Sequence, residues 1–173
     1  MKKIALLIGV LLSFSSAAHA SILIEPYANV IISGKIDDAD ISGSDIGARL
    51  GWGMAGFSIG VDAFLSGTHT YKDTSSTSYT PSFLGVFLAY EFPILVRGYA
   101  SYAPSYYVKK DDTKIKGTNT RIGVQYTGLP FVAIGLEMQT EAFDKIEVGS
   151  TPPSNYSESS SITSLVVSIP FSL

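Results

Sequence analysis

Apolar and polar side chains alternate along eight separate stretches of the chain. In residues 131–141, for example, Val132, Ile134 and Leu136 occupy every second position, and Glu137 follows on the other face. Successive side chains of a β-strand point to opposite faces, so this alternation predicts strands with one apolar and one polar face. The eight predicted strands are residues 22–33, 45–53, 57–66, 82–92, 94–103, 118–126, 131–141 and 163–173.

The connections between the predicted strands alternate in length. Three are tight turns, at residues 53–56, 92–93 and 127–130. The other four are long and polar, and they are residues 35–45, 68–82, 104–117 and 143–161. Tilted strands of about 9–11 residues can cross a bilayer, and connections sorted by length in this way are typical of outer-membrane barrels rather than soluble β-domains. The sequence therefore predicts an all-β fold, an eight-stranded antiparallel up-and-down transmembrane β-barrel with short periplasmic turns and long extracellular loops.

Charged residues interrupt the apolar stretches, as Arg49 and Asp62 do in residues 45–65. In a membrane barrel the apolar face contacts lipid and the polar face lines the lumen. Eight strands enclose an interior that side chains can fill, and charges buried there need partners. The predicted lumen network consists of Glu25, Arg49, Asp62, Glu91, Arg97, Arg121, Glu137 and Glu141.

Two of these predicted contacts follow from counting away from the tight turns. Arg121 is expected nearly opposite Glu137, and Arg49 is expected diagonal to Asp62. The network has two interpretations, either a filling that sets the register of the barrel or a gated polar path for ions and small solutes. Outward aromatic residues near the tight-turn end predict an interfacial girdle, and they are Trp52, Phe57, Tyr90, Phe92, Tyr126 and Phe171.

Residues 1–20 predict a cleaved secretory signal peptide. Lys2 and Lys3 precede a short apolar core, and Ala18-His19-Ala20 forms a small-residue cleavage site. Residues 21–173 then form the outer-membrane barrel domain. Since Lys2 and Lys3 account for two of the 12 basic residues, ten remain in this domain against 15 acidic ones. That balance argues against nucleic-acid binding, which needs a basic face. The chain has no cysteine, and after the signal no apolar run is long enough for a transmembrane helix.

Candidate catalytic and metal-binding chemistry is sparse. His69, in the predicted loop 68–82, is the one histidine after the signal peptide and is interpreted as a solvated loop residue. A hydrolase would need a base beside a serine, so no enzymatic activity and no cofactor are predicted. Asp38-Ala39-Asp40 begins like a calcium loop, but Arg49 occupies the twelfth position and excludes an EF-hand. A weak divalent-cation site at Asp37, Asp38 and Asp40 stays open.

A cluster of lysines lies in the predicted loop 104–117. Lysine ammonium groups bind phosphates as point charges, so contact with lipopolysaccharide is one interpretation. A merely solubilising loop is the other, because Asp111 and Asp112 dilute the positive charge. The four lysines are Lys109, Lys110, Lys114 and Lys116.

The chain resembles the OmpA/OmpX-type family of small eight-stranded outer-membrane barrels. The resemblance rests on ILIEPYANV at residues 22–30, on GARLGWGMAGFSIGVD at residues 47–62, and on the strand that ends the chain. It implies a monomeric outer-membrane protein whose last strand is recognised by the barrel-assembly machinery. An aromatic residue usually ends that strand in the family, whereas Phe171 lies two positions before Leu173 here.

The resemblance leaves three functional classes. The first, and the one predicted, is a non-enzymatic barrel with a plugged lumen that acts as a structural or surface-interaction protein through its extracellular loops. The second is a narrow channel or a carrier of small hydrophobic solutes resembling OmpW, which would need a lateral gap or an apolar lumen mouth. Phe64, Phe83 and Phe87 are predicted to point inward and could line or plug such a mouth. The third and weakest is a lipid A-modifying enzyme.

Overall fold

The computed structural model describes residues 20–36, 39–72, 76–149 and 151–173. Nearly all of the signal peptide predicted at residues 1–20 lies outside these ranges, as do Asp37 and Asp38. The strands, in chain order, are β1 (Ser21–Ile36), β2 (Ala39–Met54), β3 (Phe57–Lys72), β4 (Ser76–Ser82), β5 (Leu84–Phe92), β6 (Val96–Lys110), β7 (Thr113–Leu129), β8 (Val132–Val148), β9 (Ser154–Ser168) and β10 (Phe171–Ser172). Within the described ranges, no helix is long and apolar enough to cross a membrane.

These ten segments form a closed barrel of eight antiparallel strands. Segments β4 and β5 together form one barrel strand, interrupted at Phe83, and both pair with β6. Segments β9 and β10 form another, interrupted at Ile169 and Pro170, and both pair with β1 to close the barrel. Proline has no backbone N–H to donate, which explains the second interruption. The predicted eight-stranded up-and-down barrel is confirmed.

The predicted tight turns lie together at one end of the barrel. Strands β2 and β3 are joined by Ala55 and Gly56, which have φ angles of 54° and 82°. Positive φ at both central residues is the geometry of a type I′ turn, whose twist matches that of the flanking strands. Leu95 and Phe131, at the other two tight turns, also have positive φ.

At the extracellular end the predicted strand bounds are wrong, because the strands continue far into the four predicted loops. Strands β6 and β7 pair as far as Lys110 with Thr113, which leaves only Asp111 and Asp112 between them. The segment 143–161, predicted as the longest loop, is strand at residues 143–148 and 154–161. Beyond the lipid both faces of a strand can be polar, so the alternation disappears while backbone pairing persists.

An apolar belt surrounds the lower part of the barrel. On β3 the outward residues run from Phe57 to Leu65, and Leu65 is 71% exposed; the outward positions that follow are Ser66, Thr68 and Thr70. The predicted girdle lies at the tight-turn end, where the ring of Tyr90 is 4.4 Å from that of Phe57 and 4.8 Å from that of Phe92. A closed barrel satisfies the backbone hydrogen bonds of its strands, and with an apolar belt it is suited to cross a bilayer.

The interior is packed in two layers of different chemistry. The layer inside the apolar belt is mostly polar and charged, and it is centred on Arg49 and Arg121, which are almost completely buried. The layer above it, toward the extracellular end, is a hydrophobic cluster built on Phe83, Tyr106 and Phe143. This division places two distinct sites along one lumen.

Candidate functional site

The lower layer is a charged plug, which we define as Glu25, Arg49, Asp62, Arg97, Arg121 and Glu137. Arg121 lies at its centre, with Nη2 at 2.8 Å from Oε2 of Glu137 and 3.5 Å from Oδ2 of Asp62. Its Nη1 donates to the hydroxyl of Tyr27 at 2.9 Å. The register pairs Arg121 with Gln139 rather than with Glu137, so this ion pair is diagonal.

Arg49 connects the same carboxylates from the other side of the lumen. It lies directly opposite Asp62 in the register, and its Nε donates to Oδ2 of Asp62 at 3.2 Å. Its Nη2 is 3.4 Å from Glu137 Oε2. The guanidinium also stacks between two tyrosine rings, 3.9 Å from the centroid of Tyr99 and 4.6 Å from that of Tyr27. Both arginines are thus held by charge and by cation–π contact.

Two glycines make room for these tyrosine rings against the barrel wall. A Cβ atom on Gly123 would lie 2.2 Å from Cζ of Tyr99, and one on Gly47 would lie 2.3 Å from Cζ of Tyr27. A glycine inside a strand often marks such a close approach. The stacking of Arg49 between the two tyrosine rings therefore depends on the absence of a side chain at Gly47 and Gly123.

The plug ends at the periplasmic mouth. There Arg97 bridges Glu25 and Glu91, with N–O distances of 3.1 Å to each. Glu25 is buried, whereas the side chain of Glu91 is 45% exposed. Glu91, predicted as part of the interior network, therefore lies at the rim, while the six residues of the plug are shielded from solvent.

The eighth predicted network residue, Glu141, belongs to a separate cluster above the plug. It accepts hydrogen bonds from Ser160 Oγ at 2.6 Å and from Gln139 Nε2 at 2.8 Å, and another from the hydroxyl of Tyr106. His69 lies beside it, with Nδ1 at 3.7 Å from Oε1 of Glu141. The cluster is a buried polar floor beneath the extracellular mouth.

His69 is fully buried, so its interpretation as a solvated loop residue is wrong. Strand β3 continues to Lys72, and an irregularity in the β2–β3 register near Gly47 changes which residues of β3 point inward. His69 Nε2 lies 3.1 Å from Asp45 Oδ2. Burial by itself would lower the pKa of His69, but the hydrogen bond to Asp45 and the charges of Asp45 and Glu141 raise that pKa above its ordinary value.

A cavity of about 270 Å³ opens above this floor at the extracellular end. We call it the aromatic cup, and its lining comes from seven of the eight barrel strands. The lining residues are Ile36, Tyr71, Thr77, Tyr79, Val108, Ile115, Phe143, Tyr156 and Glu158. Of the phenylalanines expected inside, Phe83 and Phe64 pack in the hydrophobic cluster beside the cup with ring centroids 5.1 Å apart, while Phe87 lies lower, beside Leu23.

The wall beside the cup has an interrupted ladder between β3 and its neighbours. Strand β3 pairs with β5 as far as Ala63 and Leu84, and with β4 only from His69 and Tyr79 onward. Between these points the backbone N–H of Phe64 donates to the carbonyl of Phe83 at 3.0 Å. Pro81, which has no N–H, lies in the interrupted stretch. The interruption is at the upper edge of the apolar belt.

Three of the four predicted lysines lie on the outward face of the barrel, above the apolar belt. Val108 is buried in the lumen, so Lys109 points outward, where it pairs with Lys114 in the register. Lys116 also faces outward, pairs with Lys145 of β8, and places Nζ 2.5 Å from Oε1 of Glu147. Lys110 is the last residue of β6, beside the turn.

The proposed divalent-cation site is not tested at two of its residues, since Asp37 and Asp38 lie outside the described ranges. The third, Asp40, is paired in the register with Lys35 and Lys72. Among the described residues, no three His, Cys, Asp or Glu side chains are grouped so that they could hold a metal ion.

Two solved structures resemble this architecture over most of their length. Neisserial surface protein A (NspA) is 17% identical with a TM-score of 0.55, and the match covers 88% of this chain and 99% of that one. The outer membrane protein AlkL in lipid bilayers is 14% identical with a TM-score of 0.50, covering 92% and 94%. The chain has the outer-membrane β-barrel fold. At these identities the likeness concerns the fold alone, and no family model and no curated sequence matches the chain.

Proposed function

We propose that this protein is a monomeric, non-enzymatic outer-membrane barrel that binds small apolar molecules in the aromatic cup. The observation that carries the proposal is an open cavity, lined mainly by aromatic and aliphatic side chains, above a plug of buried ion pairs. A carrier of small hydrophobic solutes, the second functional class considered above, requires an apolar mouth of this kind. The first class, interaction through long extracellular loops, loses support because most of the predicted loop residues are paired strand.

Binding in the aromatic cup is favoured by removal of apolar surface from water, at about 25 cal/mol per Å². A cavity of about 270 Å³ is near the lower limit of ordinary ligand pockets, so the ligand is small. The plug blocks a straight path to the periplasm, because Arg49 and Arg121 are held by carboxylates on several strands. The interrupted ladder near Phe64 and Pro81 supplies a weaker part of the wall, through which an apolar solute would leave toward lipid.

A filled-cup variant tests the binding site directly. Ile115 points into the cup, whereas Ile122 on the same strand is 60% exposed on the lipid face. We expect p-xylene to shift NMR resonances of the cup in the wild-type barrel and in Ile122→Trp, but not in Ile115→Trp. No shift of cup resonances in the wild-type protein would refute the proposed function.

The plug gives a second expectation, which concerns conductance. Purified, folded protein in a planar bilayer should show no steady single-channel steps. Steady steps would mean that the buried arginines leave a continuous water path, and the narrow-channel class would then replace the carrier class.

The outward lysines favour a second role, contact with lipopolysaccharide. Lys109 faces Lys114 and Lys116 faces Lys145, and like charges opposite each other on a sheet are unfavourable unless an anion lies between them. Glu147 forms an ion pair with Lys116 and lies opposite Lys114 in the register, whereas Lys109 and Lys145 have no ion pair among the described residues. These lysines lie above the apolar belt, at the level where lipid A phosphates would be found.

The lipopolysaccharide proposal predicts binding that depends on phosphate. Lys109→Gln combined with Lys145→Gln should reduce capture of phosphorylated lipid A more than capture of its dephosphorylated form. Lys35→Gln combined with Lys72→Gln, at the same end of the barrel, is the matched control. If both double variants lose capture of phosphorylated lipid A equally, the effect is one of net charge and the specific contact is refuted.

The barrel-assembly machinery is proposed as a partner of the terminal strand, where Phe171 points outward.

A further inference from the structure

The lining of the aromatic cup combines aromatic rings with one carboxylate. Three tyrosines and a phenylalanine contribute rings, and Glu158 contributes the charge. Among the described residues, neither lysine nor arginine lines the cavity. The cup therefore combines apolar and aromatic side chains with a carboxylate, whereas a site for neutral hydrocarbons would not need a charged group.

Among the described residues, Glu158 has no cationic partner. It is half-buried on β9, beside Phe143 of β8 in the register, and it accepts a hydrogen bond from the hydroxyl of Tyr156. Within the described ranges, no Lys, Arg or His nitrogen lies within ion-pairing distance of its carboxylate. A partly desolvated carboxylate without a counter-charge favours a cationic ligand.

The rings of the cup are placed to stabilise a positive charge. Tyr71 and Tyr79 meet edge to face, with centroids 5.3 Å apart and planes at 88°, so the two ring faces point in different directions. Phe143 is on the opposite side of the barrel, packed against Tyr106. Aromatic faces carry negative potential, and rings gathered around one cavity are how proteins bind ammonium groups.

The floor below adds to the negative field. Among the described residues, His69 is the one basic group of this floor, and it faces Asp45 on β2 and Glu141 on β8. Tyr79 of β4 lies opposite His69 in the register. The floor thus places two carboxylates around one imidazole.

We propose that the aromatic cup selects organic cations, molecules with an ammonium group attached to a small apolar body. This inference rests on the proposed function and specifies its ligand class. The ammonium group lies among the tyrosine rings beside Glu158, and the apolar body contacts Val108 and Ile115.

A matched pair of probes separates charge from shape. Benzyltrimethylammonium and neopentylbenzene have the same outline, with a charged nitrogen in one replaced by carbon in the other. Each is titrated by NMR into the full-length folded barrel in lipid nanodiscs. Glu158→Gln should weaken binding of the cation at least about fivefold and leave binding of neopentylbenzene unchanged. Glu147→Gln, the same change outside the cup, should leave both affinities unchanged.

A second variant covers the case in which Glu158→Gln does not fold. Tyr79→Leu keeps an apolar side chain but removes one ring, and it should also weaken the cation selectively. If the wild-type barrel binds both probes and neither variant changes their ratio, the inference is overturned and the proposed function stands. If the wild-type barrel binds neopentylbenzene but not the cation, the inference is likewise overturned and the proposed function stands. If neither probe binds, the proposed function itself fails.

Discussion

Replacing Arg121 with methionine should destabilise the barrel strongly, because it removes one partner of a buried ion pair. The substitution keeps most of the side-chain length but leaves Glu137 and Asp62 without their contacts at 2.8 and 3.5 Å. Removing one member of a buried pair typically costs about 3–5 kcal/mol. Arg49 still reaches both carboxylates, at 3.4 and 3.2 Å, so we expect the lower end, about 3 kcal/mol.

The matched control is Lys116→Met, which also breaks an ion pair between β7 and β8. That pair, with Glu147, is partly exposed, with side-chain exposures of 39% and 26%. Exposed pairs contribute about 0–1 kcal/mol, so this variant should unfold much like the wild type. The two variants thus differ mainly in the burial of the broken pair.

Urea unfolding in thin lipid bilayers provides the assay. Trp52 is the single tryptophan and lies on the lipid face at the tight-turn end, so its emission reports the loss of the membrane-inserted state. A heat-modifiable gel shift gives an independent measure of the folded fraction. A loss below about 1 kcal/mol for Arg121→Met, or a loss equal to that of Lys116→Met, would refute the view that the plug stabilises the barrel.

Three further variants test other features of the structure. Leu136→Arg, on the lipid face, should cost about 2–4 kcal/mol in the same assay, and a neutral result would mean that the faces are reversed. Gly123→Ala should destabilise because its Cβ would lie 2.2 Å from Tyr99, whereas Gly98→Ala, with its nearest neighbour at 3.7 Å, should not; equal effects would contradict the close packing. The raised pKa of His69 gives stability that is present below about pH 6.5 and lost as pH rises through the folded-state pKa. The destabilisation caused by His69→Gln should therefore be larger near pH 6 than near pH 9, and the opposite trend would contradict the pairing with Asp45.

The alternation of side chains was sufficient to predict the barrel and its two faces. A period of two is a local property of the strand, so the positions of Leu136 and Glu137 on opposite faces could be derived from neighbours in sequence. The contact between Arg121 and Glu137 was also predictable, since a tight turn brings β7 and β8 together within a short segment. Export through a signal peptide at residues 1–20 stays a prediction from sequence.

The tertiary structure decided where the strands end and what lies in the lumen above the belt. Outside lipid the outward face needs no apolar residues, so nothing in the pattern distinguishes paired strand from loop between residues 104 and 117. The register irregularity near Gly47 shifts His69 from an apparent loop into the interior, and periodicity cannot anticipate it. Contacts such as Asn29 with Glu137, at 3.0 Å, join residues 108 positions apart. They exist only because the barrel closes, and so the plug and the aromatic cup are properties of the closed ring rather than of any one strand.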